Sequence, residues 1–293
     1  MGASLLAPPA AVLDIRARSG EHRTVLSGHR LFDEDGVAIT DVTCRQPPGR
    51  GAIDEPAHHA IVFVRRGCFV RWVAGTDHLL DPTRIYCINP GDEQRYDHPH
   101  PHGDDCTSIR FEPSLLGSIW GDDPTLPSHP ITSSPGIDLE HRHLLAAAHR
   151  GDDPAETHER TLALATAALA EVDAVRVRSG RPATVRARRA LVDAAREALA
   201  ADPGFSLVDL ARALGASPHH LSRTFHAGTG HTIARHRMRL RVRAALERLA
   251  GGDDRLADLA ADVGFTDQSH LCRVIRRETG HTPTTLRHAL RRP

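Results

Sequence analysis

An internal repeat in the last third of this 293-residue chain constrains its fold more than any other feature of the sequence. The segment Leu207–Gly215 (LVDLARALG) recurs as Leu256–Gly264 (LADLAADVG), 49 positions further on, and Gly-His-Thr recurs at 230–232 and 280–282, 50 positions apart. Both longer segments place aliphatic residues on one helical face and end in a glycine, which favours a left-handed residue just past a helix. The repeat predicts two copies of one helix-turn-helix unit, with one extra residue in the second turn or second helix of the later copy.

The second helix of each predicted unit carries a polar face that suits nucleic acid. Ser217 with Pro218 can start the first of these helices, and Thr266 with Asp267 can start the second. Arginine pairs bidentately with guanine, while Gln, Ser and His side chains can meet base edges or phosphates. The predicted DNA-contacting residues are His219, His220, Ser222 and Arg223 in the first helix, and Gln268, Ser269, His270, Arg273 and Arg277 in the second.

The net charge of zero conceals an uneven distribution along the chain. From Arg186 to the end there are 19 arginines against 11 acidic residues, whereas the part before it has 18 arginines against 26 acidic residues. A basic C-terminal part joined to an acidic N-terminal part indicates that only the former meets a polyanion such as DNA.

Three stretches of the C-terminal part carry a resemblance to a known family. The most specific is Gly264–Leu271 (GFTDQSHL), followed by Arg273 and by Gly280–Pro283 (GHTP). The pair Arg241-Val242, with Ala245, Leu246 and Leu249, adds the pattern of a linker helix. About residues 185–287 therefore resemble the DNA-binding domain of the AraC/XylS family of bacterial transcription regulators, although Leu271 and Ile275 stand where that family usually has phenylalanine. The resemblance implies double-stranded DNA as partner, a homodimer, contact with RNA polymerase, and activation more often than repression.

The N-terminal half has the pattern of a sheet protein. Short runs rich in β-branched and aromatic residues are separated by Gly, Pro and Asp turns. These predicted strands are Ala60–Val64, Cys68–Val73, Arg84–Ile88 and Cys106–Phe111. They predict a barrel or sandwich, and Asn89–Glu93 with Tyr96 and His98 adds a weaker resemblance to the cupin-like barrel of AraC/XylS proteins.

The predicted architecture is an α+β two-domain protein. Residues 1–120 form a cupin-like effector or sensor domain, and residues 121–183 form a linker with helices that pack on the barrel or pair with a second subunit. Residues 184–293 form an all-α DNA-binding domain with two helix-turn-helix units. A loop is predicted at Gly121–Gly136, helices at Ile137–Arg150 and Pro154–Arg178, and an interdomain break at Ser179–Pro182. Seven helices follow, at about 185–201, 207–214, 218–227, 232–250, 256–263, 267–278 and 283–291.

Several histidines and cysteines of the N-terminal half are candidate ligands. Histidine and thiolate bind transition metals, so a metal site, an effector pocket and a histidine-rich surface loop all remain open readings. The candidate effector or metal residues are His58, His98, His100, His102 and Cys106. Cys44, Cys87 and Cys106 fit small core residues, with redox or thiol-metal sensing as the alternative.

These features predict a non-enzymatic, effector-responsive, sequence-specific transcription regulator that needs no cofactor, with a bound metal as the exception. The alternatives are a metal-dependent cupin enzyme fused to a DNA-binding domain, and a redox or metal sensor. Five cysteines without a tight CxxC pair argue against a disulfide scaffold and a zinc ribbon. Without a long apolar run or a basic stretch ahead of the first apolar residues, we expect a cytoplasmic protein with no membrane partner.

Overall fold

The computed structural model describes residues 12–14, 26–121, 124–171 and 182–292. Its N-terminal half is built from two antiparallel sheets, with strand orders β1-β2-β3-β10-β5-β8-β11 and β4-β9-β6-β7. The strands are β1 (Val12–Asp14), β2 (Leu26–Glu34), β3 (Val37–Cys44), β4 (Gly49–Arg50), β5 (His59–Arg66), β6 (Phe69–Val73), β7 (Thr76–Leu80), β8 (Arg84–Ile88), β9 (Gln94–His98), β10 (Asp104–Phe111) and β11 (Ile131–Thr132).

The larger sheet is buried on both faces. Along β5, Ile61 and Phe63 join a core with the helices that follow, while Ala60 and Val62 join a second core that includes residues of the smaller sheet. Alternate side chains of a strand point to opposite faces, so burial of both faces requires a continuous apolar run rather than an alternating one. The predicted β-rich N-terminal domain is therefore confirmed, with helices covering one face of its larger sheet.

Three helices cover that outer face: α1 (Pro113–Trp120), α2 (Pro135–Arg150) and α3 (Pro154–Ala170). Leu144 of α2 and Leu164 and Ala165 of α3 belong to the core beneath the sheet. Of the two predicted roles, these helices pack largely on their own chain, and a dimer through them stays a prediction. The predicted extension of α3 to Arg178 and most of the break at Ser179–Pro182 lie outside the described residues.

The C-terminal part is helical throughout its described length. Its helices are α4 (Pro182–Ala201), α5 (Leu207–Ala213), α6 (Pro218–Thr229), α7 (Ile233–Ala250), α8 (Leu256–Asp262), α9 (Gln268–Thr279) and α10 (Pro283–Leu290). Each begins and ends within three residues of its predicted position. One apolar cluster joins α4, α5 and α6 to the start of α7, and a second joins the rest of α7 to α8, α9 and α10, so the two units have separate cores.

The sequence prediction was incomplete in the sheets and wrong in one loop. The sequence did not predict β2, β3 and β9 individually, since polar residues such as Asp41 in β3 and the run Gln94–His98 interrupt their apolar pattern. The stretch predicted as a loop at 121–136 contains β11, whose Ile131 pairs with Ile85 and is buried in the core. Short strands of this kind are specified by their partners rather than by their own composition.

Two buried histidines make the stability of this fold depend on pH. Burial lowers the pKa of His141 in α2 to about 3 and that of His236 in α7 to about 4. The unfolded chain takes up a proton on each ring near pH 6.5, which the folded chain cannot do. We expect the free energy of unfolding to be greatest above about pH 6.5 and to fall by about 1.4 kcal/mol per histidine for each pH unit below it.

Urea unfolding at pH 7 and pH 5 measures this dependence, and His141→Phe isolates one histidine. The His141 ring stacks on Phe63 with centroids 4.3 Å apart, so a phenyl ring can take its place. The variant should lose about 1.4 kcal/mol per pH unit of the dependence, while His102→Ala, at an exposed position, should keep the wild-type slope. An unchanged slope in His141→Phe would show that His141 is protonated in the folded chain.

Candidate nucleic-acid interface

The first candidate reading helix, α6, is fixed at both ends by its sequence. The Ser217 hydroxyl accepts a hydrogen bond from the backbone N–H of His220, Pro218 occupies the first turn, and Gly230 ends the helix at φ 76°. Leu221 and Phe225 are fully buried against the first unit's core. The opposite face is thereby left to solvent.

The second candidate reading helix, α9, repeats this construction. The Asp267 carboxylate accepts a hydrogen bond from the backbone N–H of His270, and Gly280 ends the helix at φ 78°. Leu271 and Ile275 are fully buried. The two helices therefore bury the same positions, fifty residues apart.

The turns that precede these helices contain the extra residue. Residues 214–217 separate α5 from α6, whereas 263–267 separate α8 from α9. Gly215 at φ 62° and Gly264 at φ 82° lie in the left-handed region, where a side chain is strained. The sequence predicted the extra residue in either the turn or the second helix, and in the structure it lies in the turn.

Every predicted DNA-contacting residue lies on an accessible surface of α6 or α9. Ser222 and His270 are half-buried, and the remaining residues are exposed: His219, His220, Arg223, Gln268, Ser269, Arg273 and Arg277. Arg223 and Arg273 occupy equivalent positions in the two units. Arg277 is engaged by Glu278, whose carboxylate lies 3.0 Å from its guanidinium.

One exposed arginine of this surface was missed by the sequence prediction. Arg276 lies one turn after Arg273 on the exposed side of α9, at the position equivalent to His226 in α6. The 50-residue offset of the repeat would have found it, because that offset holds along the whole of both helices. The exposed face of α9 therefore carries three arginines: Arg273, Arg276 and Arg277.

Each arginine of the row on α7, at positions 235, 237, 239, 241 and 243, already has a partner within the chain. Arg239 and Arg243 are buried and both donate to the backbone carbonyl oxygen of Ser133 in the N-terminal half. Arg237 and Arg241 donate to the carbonyl oxygen of Pro203. The fifth arginine of the row, Arg235, is exposed, and its guanidinium lies 3.3 Å from the Glu278 carboxylate.

Acidic side chains bind the two halves of the chain together. The Glu247 carboxylate of α7 accepts hydrogen bonds from Arg65 of β5 at 3.0 Å, from Arg142 of α2 at 2.7 Å and from Arg292 at 2.9 Å. Burial alone would raise the pKa of Glu247, but these arginines hold it below its usual range. The carboxylate thus stays ionised as the centre of a bridge between the halves.

A second bridge joins the sheet domain to the first helical unit. Asp81, fully buried after β7, lies 2.7 Å from the Arg196 guanidinium of α4 and 3.8 Å from His236 of α7. It also accepts from the backbone N–H and hydroxyl of Thr83, at 2.8 and 2.6 Å. Burial would raise the pKa of Asp81, but Arg196 and His236 lower it below its usual range.

The predicted effector or metal residues do not all meet at one place. His98 and Cys106 are buried between strands, His58 and His100 are half-buried, and His102 is exposed on the turn after β9. His100 lies 3.3 Å from Glu197 of α4 instead. His98 and Cys106 both contact Asp104, whereas the prolines that follow His98 carry His100 and His102 out of the sheet, and a site that uses some of these residues stays a prediction.

The buried thiols are poor candidates for redox sensing by nucleophilic attack. All of the cysteines are free in the described structure, and Cys44, Cys87 and Cys106 are buried. Burial raises the pKa of Cys87 to about 12 and raises that of Cys106 well above its usual range. Oxidation proceeds through the thiolate, which these two groups do not form near neutral pH.

Among the described residues, no helix has both the length and the apolar character that crossing a bilayer requires. Two family models match the chain: a helix-turn-helix domain over residues 210–289 and an AraC-like ligand binding domain over residues 54–168. The first covers α6 and α9, and the second covers most of the sheet domain with α2 and most of α3.

Individual relatives also match this chain. The regulatory protein SoxS of Salmonella typhimurium is 32% identical over 81 residues, which are 28% of this chain and 76% of SoxS. The HTH-type transcriptional regulator RipA of Corynebacterium diphtheriae is 38% identical over 79 residues, 27% of this chain but only 23% of RipA. The solved structure of apo ToxT from Vibrio cholerae matches 88% of this chain and 99% of that one at 9% identity and a TM-score of 0.37. With its AraC-like ligand binding domain and paired helix-turn-helix units, the chain belongs to the AraC/XylS family of transcription regulators.

Proposed function

We propose that this chain binds specific double-stranded DNA sequences through α6 and α9 and thereby regulates transcription. The equivalence of two exposed helices carries the proposal: each begins at a side-chain cap, buries the same two positions and presents an arginine, Arg223 or Arg273, at the same place. A reading helix needs a rigid support and a free polar face, and both units provide these.

The connection of the two units by α7 suggests how they share a site. Paired reading helices on one side of a duplex enter major-groove segments about one helical turn, or roughly 34 Å, apart. Arg223 and Arg273 would read base edges, while Arg235 at the start of α7 would exchange Glu278 for a phosphate. The target would be a two-part sequence, and a homodimer would read two such targets.

We further propose that a small effector bound by the sheet domain alters DNA binding through the interdomain bridges. Asp81 holds the first unit through Arg196, and Arg65 with Arg142 holds α7 through Glu247. One domain therefore touches both the first unit and the helix that links it to the second. A shift of the sheet domain would change how the units are held, which is the differential contact that an effector response requires.

Mapping of the DNA occupied by the full chain in cells, combined with transcript levels with and without its gene, tests this function. We expect discrete occupied sites next to genes whose transcripts change, and the direction of change separates activation from repression. The Arg223→Ala/Arg273→Ala double variant, present at the wild-type level, should lose these sites. Occupancy without sequence preference, or sites that the double variant retains, would refute the proposal.

A further inference from the structure

Three potential metal ligands meet at one end of the two sheets. Cys44 ends β3, His98 ends β9 and Asp104 begins β10, and one ligand atom from each lies within 4.8 Å of the other two. All three side chains are about 95% buried, with 5% relative exposure each. No other group of three or more such ligands occurs among residues 12–14, 26–121, 124–171 and 182–292.

The backbone around these residues is built for close approach. Cys44 and Asp104 are directly paired across the β3–β10 ladder, so their side chains start from adjacent positions. Gly103 precedes Asp104 at φ 65°, and a Cβ there would lie 2.1 Å from the carbonyl oxygen of Cys44. Only glycine lets the turn after β9 come this near to β3.

The hydrogen bonds within the cluster leave a potential ligand atom of His98 without a partner. His98 Nε2 lies 2.8 Å from Asp104 Oδ1, but the other ring nitrogen, Nδ1, is buried without a hydrogen-bond partner in the described structure. A buried polar atom without a partner is destabilising, and such atoms commonly mark an ion or water that completes them. Cys106 Sγ lies 3.4 Å from Asp104 Oδ2 and adds a second sulfur at the edge of the cluster.

We propose that Cys44, His98 and Asp104, with Cys106 as the fourth ligand, bind one zinc-class divalent transition-metal ion. Sulfur, imidazole and carboxylate together suit zinc better than magnesium or calcium, which prefer oxygen ligands only. Tetrahedral zinc places its ligand atoms about 3.3–3.8 Å apart. Side-chain rotations that bring the ligand atoms of Cys44, His98 and Asp104 closer by roughly 1 Å, with a larger movement of Cys106, would complete the site. The ion would displace the thiol protons, as metals do at coordinating cysteines.

The site lies beside the bridge between the domains. The β5–β10 register shifts at Asp105/Cys106, which leaves Arg65 as the bulged residue opposite, and Arg65 donates to the Cys106 carbonyl oxygen at 3.5 Å as well as to Glu247. A metal ion bound by Cys106 would therefore restrain the part of β10 whose backbone accepts a hydrogen bond from Arg65. The metal proposal rests on ligand geometry and does not depend on DNA binding.

Titration of chelator-stripped full chain with Co²⁺, followed by displacement with Zn²⁺, tests the site. We expect one equivalent of Co²⁺ to produce a thiolate-to-metal charge-transfer band that one equivalent of Zn²⁺ removes. Cys44→Ser should weaken binding at least ten-fold, whereas Cys87→Ser, at a buried thiol outside the cluster, should bind as the wild type does. If Cys44→Ser does not fold, by circular dichroism, Asp104→Asn provides the same comparison.

The histidine-rich turn provides the opposing control. If metal binds adventitiously at exposed histidines, the His100→Ala/His102→Ala variant will lose it and Cys44→Ser will keep it. That outcome, the absence of a thiolate band, or equal affinities of Cys44→Ser and Cys87→Ser would each overturn the proposed site.

Discussion

Replacing Asp81 by asparagine is expected to lower the free energy of unfolding by about 3–5 kcal/mol, because it leaves a buried arginine without its counter-charge. The Asp81 side chain is 0% exposed and that of its partner Arg196 is 4% exposed. Asparagine keeps the volume and an oxygen that can accept from Thr83, while its NH2 group replaces the oxygen that faces Arg196, so the change removes the counter-charge and its acceptor. Urea unfolding at pH 7, where the carboxylate is fully ionised, measures the loss.

Two further variants distinguish the contribution of the ion pair to the free energy of unfolding from a general destabilisation of the fold. Asp77→Asn, at an exposed position of the same hairpin, should change the free energy of unfolding by no more than about 0.5 kcal/mol. The Asp81→Asn/Arg196→Met double variant should recover most of the loss, since it removes the unpaired charge and keeps an acceptor for Thr83. A loss below about 1 kcal/mol in Asp81→Asn would contradict a bridge that locks the first unit to the sheet domain.

Replacing Arg273 by alanine is expected to weaken binding to the selected DNA site by about 1–3 kcal/mol, or about 5- to 150-fold in Kd. The same applies to Arg223→Ala, since the two side chains occupy equivalent exposed positions. The two residues lie in units with separate cores. Their effects should therefore add, to about 2–6 kcal/mol in the double variant. Fluorescence anisotropy at one fixed salt concentration measures these constants.

The ratio of specific to non-specific affinity distinguishes base reading from charge alone. Loss of a base contact should relax specificity at one position of the site, whereas loss of a phosphate contact weakens binding to every sequence. Arg50→Ala serves as the charge-matched control, because its side chain is 72% exposed on the sheet domain. Wild-type affinity and specificity in both Arg223→Ala and Arg273→Ala would show that α6 and α9 do not read DNA.

The helical half could be predicted from the sequence because its signals are local. Caps such as Ser217 and Asp267, the glycines after each helix, and the apolar spacing all act within one turn of the residues they define. The internal repeat then predicted that the chain contains two equivalent helix-turn-helix units, and this prediction needed no information about long-range contacts. Arg276 was not predicted because the DNA-contacting residues were chosen by residue type. Applying the 50-residue offset of the repeat to each position of α6 would have included it.

The bridges and the ligand cluster could not be predicted in the same way. Arg65 and Glu247 are 182 positions apart, and Arg142 and Glu247 are 105 apart, so nothing local relates them. Cys44 meets Asp104 only through the β3–β10 register. The sequence grouped His98 with its neighbours His100 and His102, whereas its burial at the end of β9 separates it from them.

Selection of randomised duplex DNA by the purified full chain tests the proposed reading by α6 and α9 most directly. We expect enrichment of a two-part sequence whose halves lie about one helical turn apart, with relaxed preference at a position of one half in Arg223→Ala and at a position of the other half in Arg273→Ala. Recovery of unenriched DNA after repeated rounds, or of the same sequence by wild type and both variants, would contradict it.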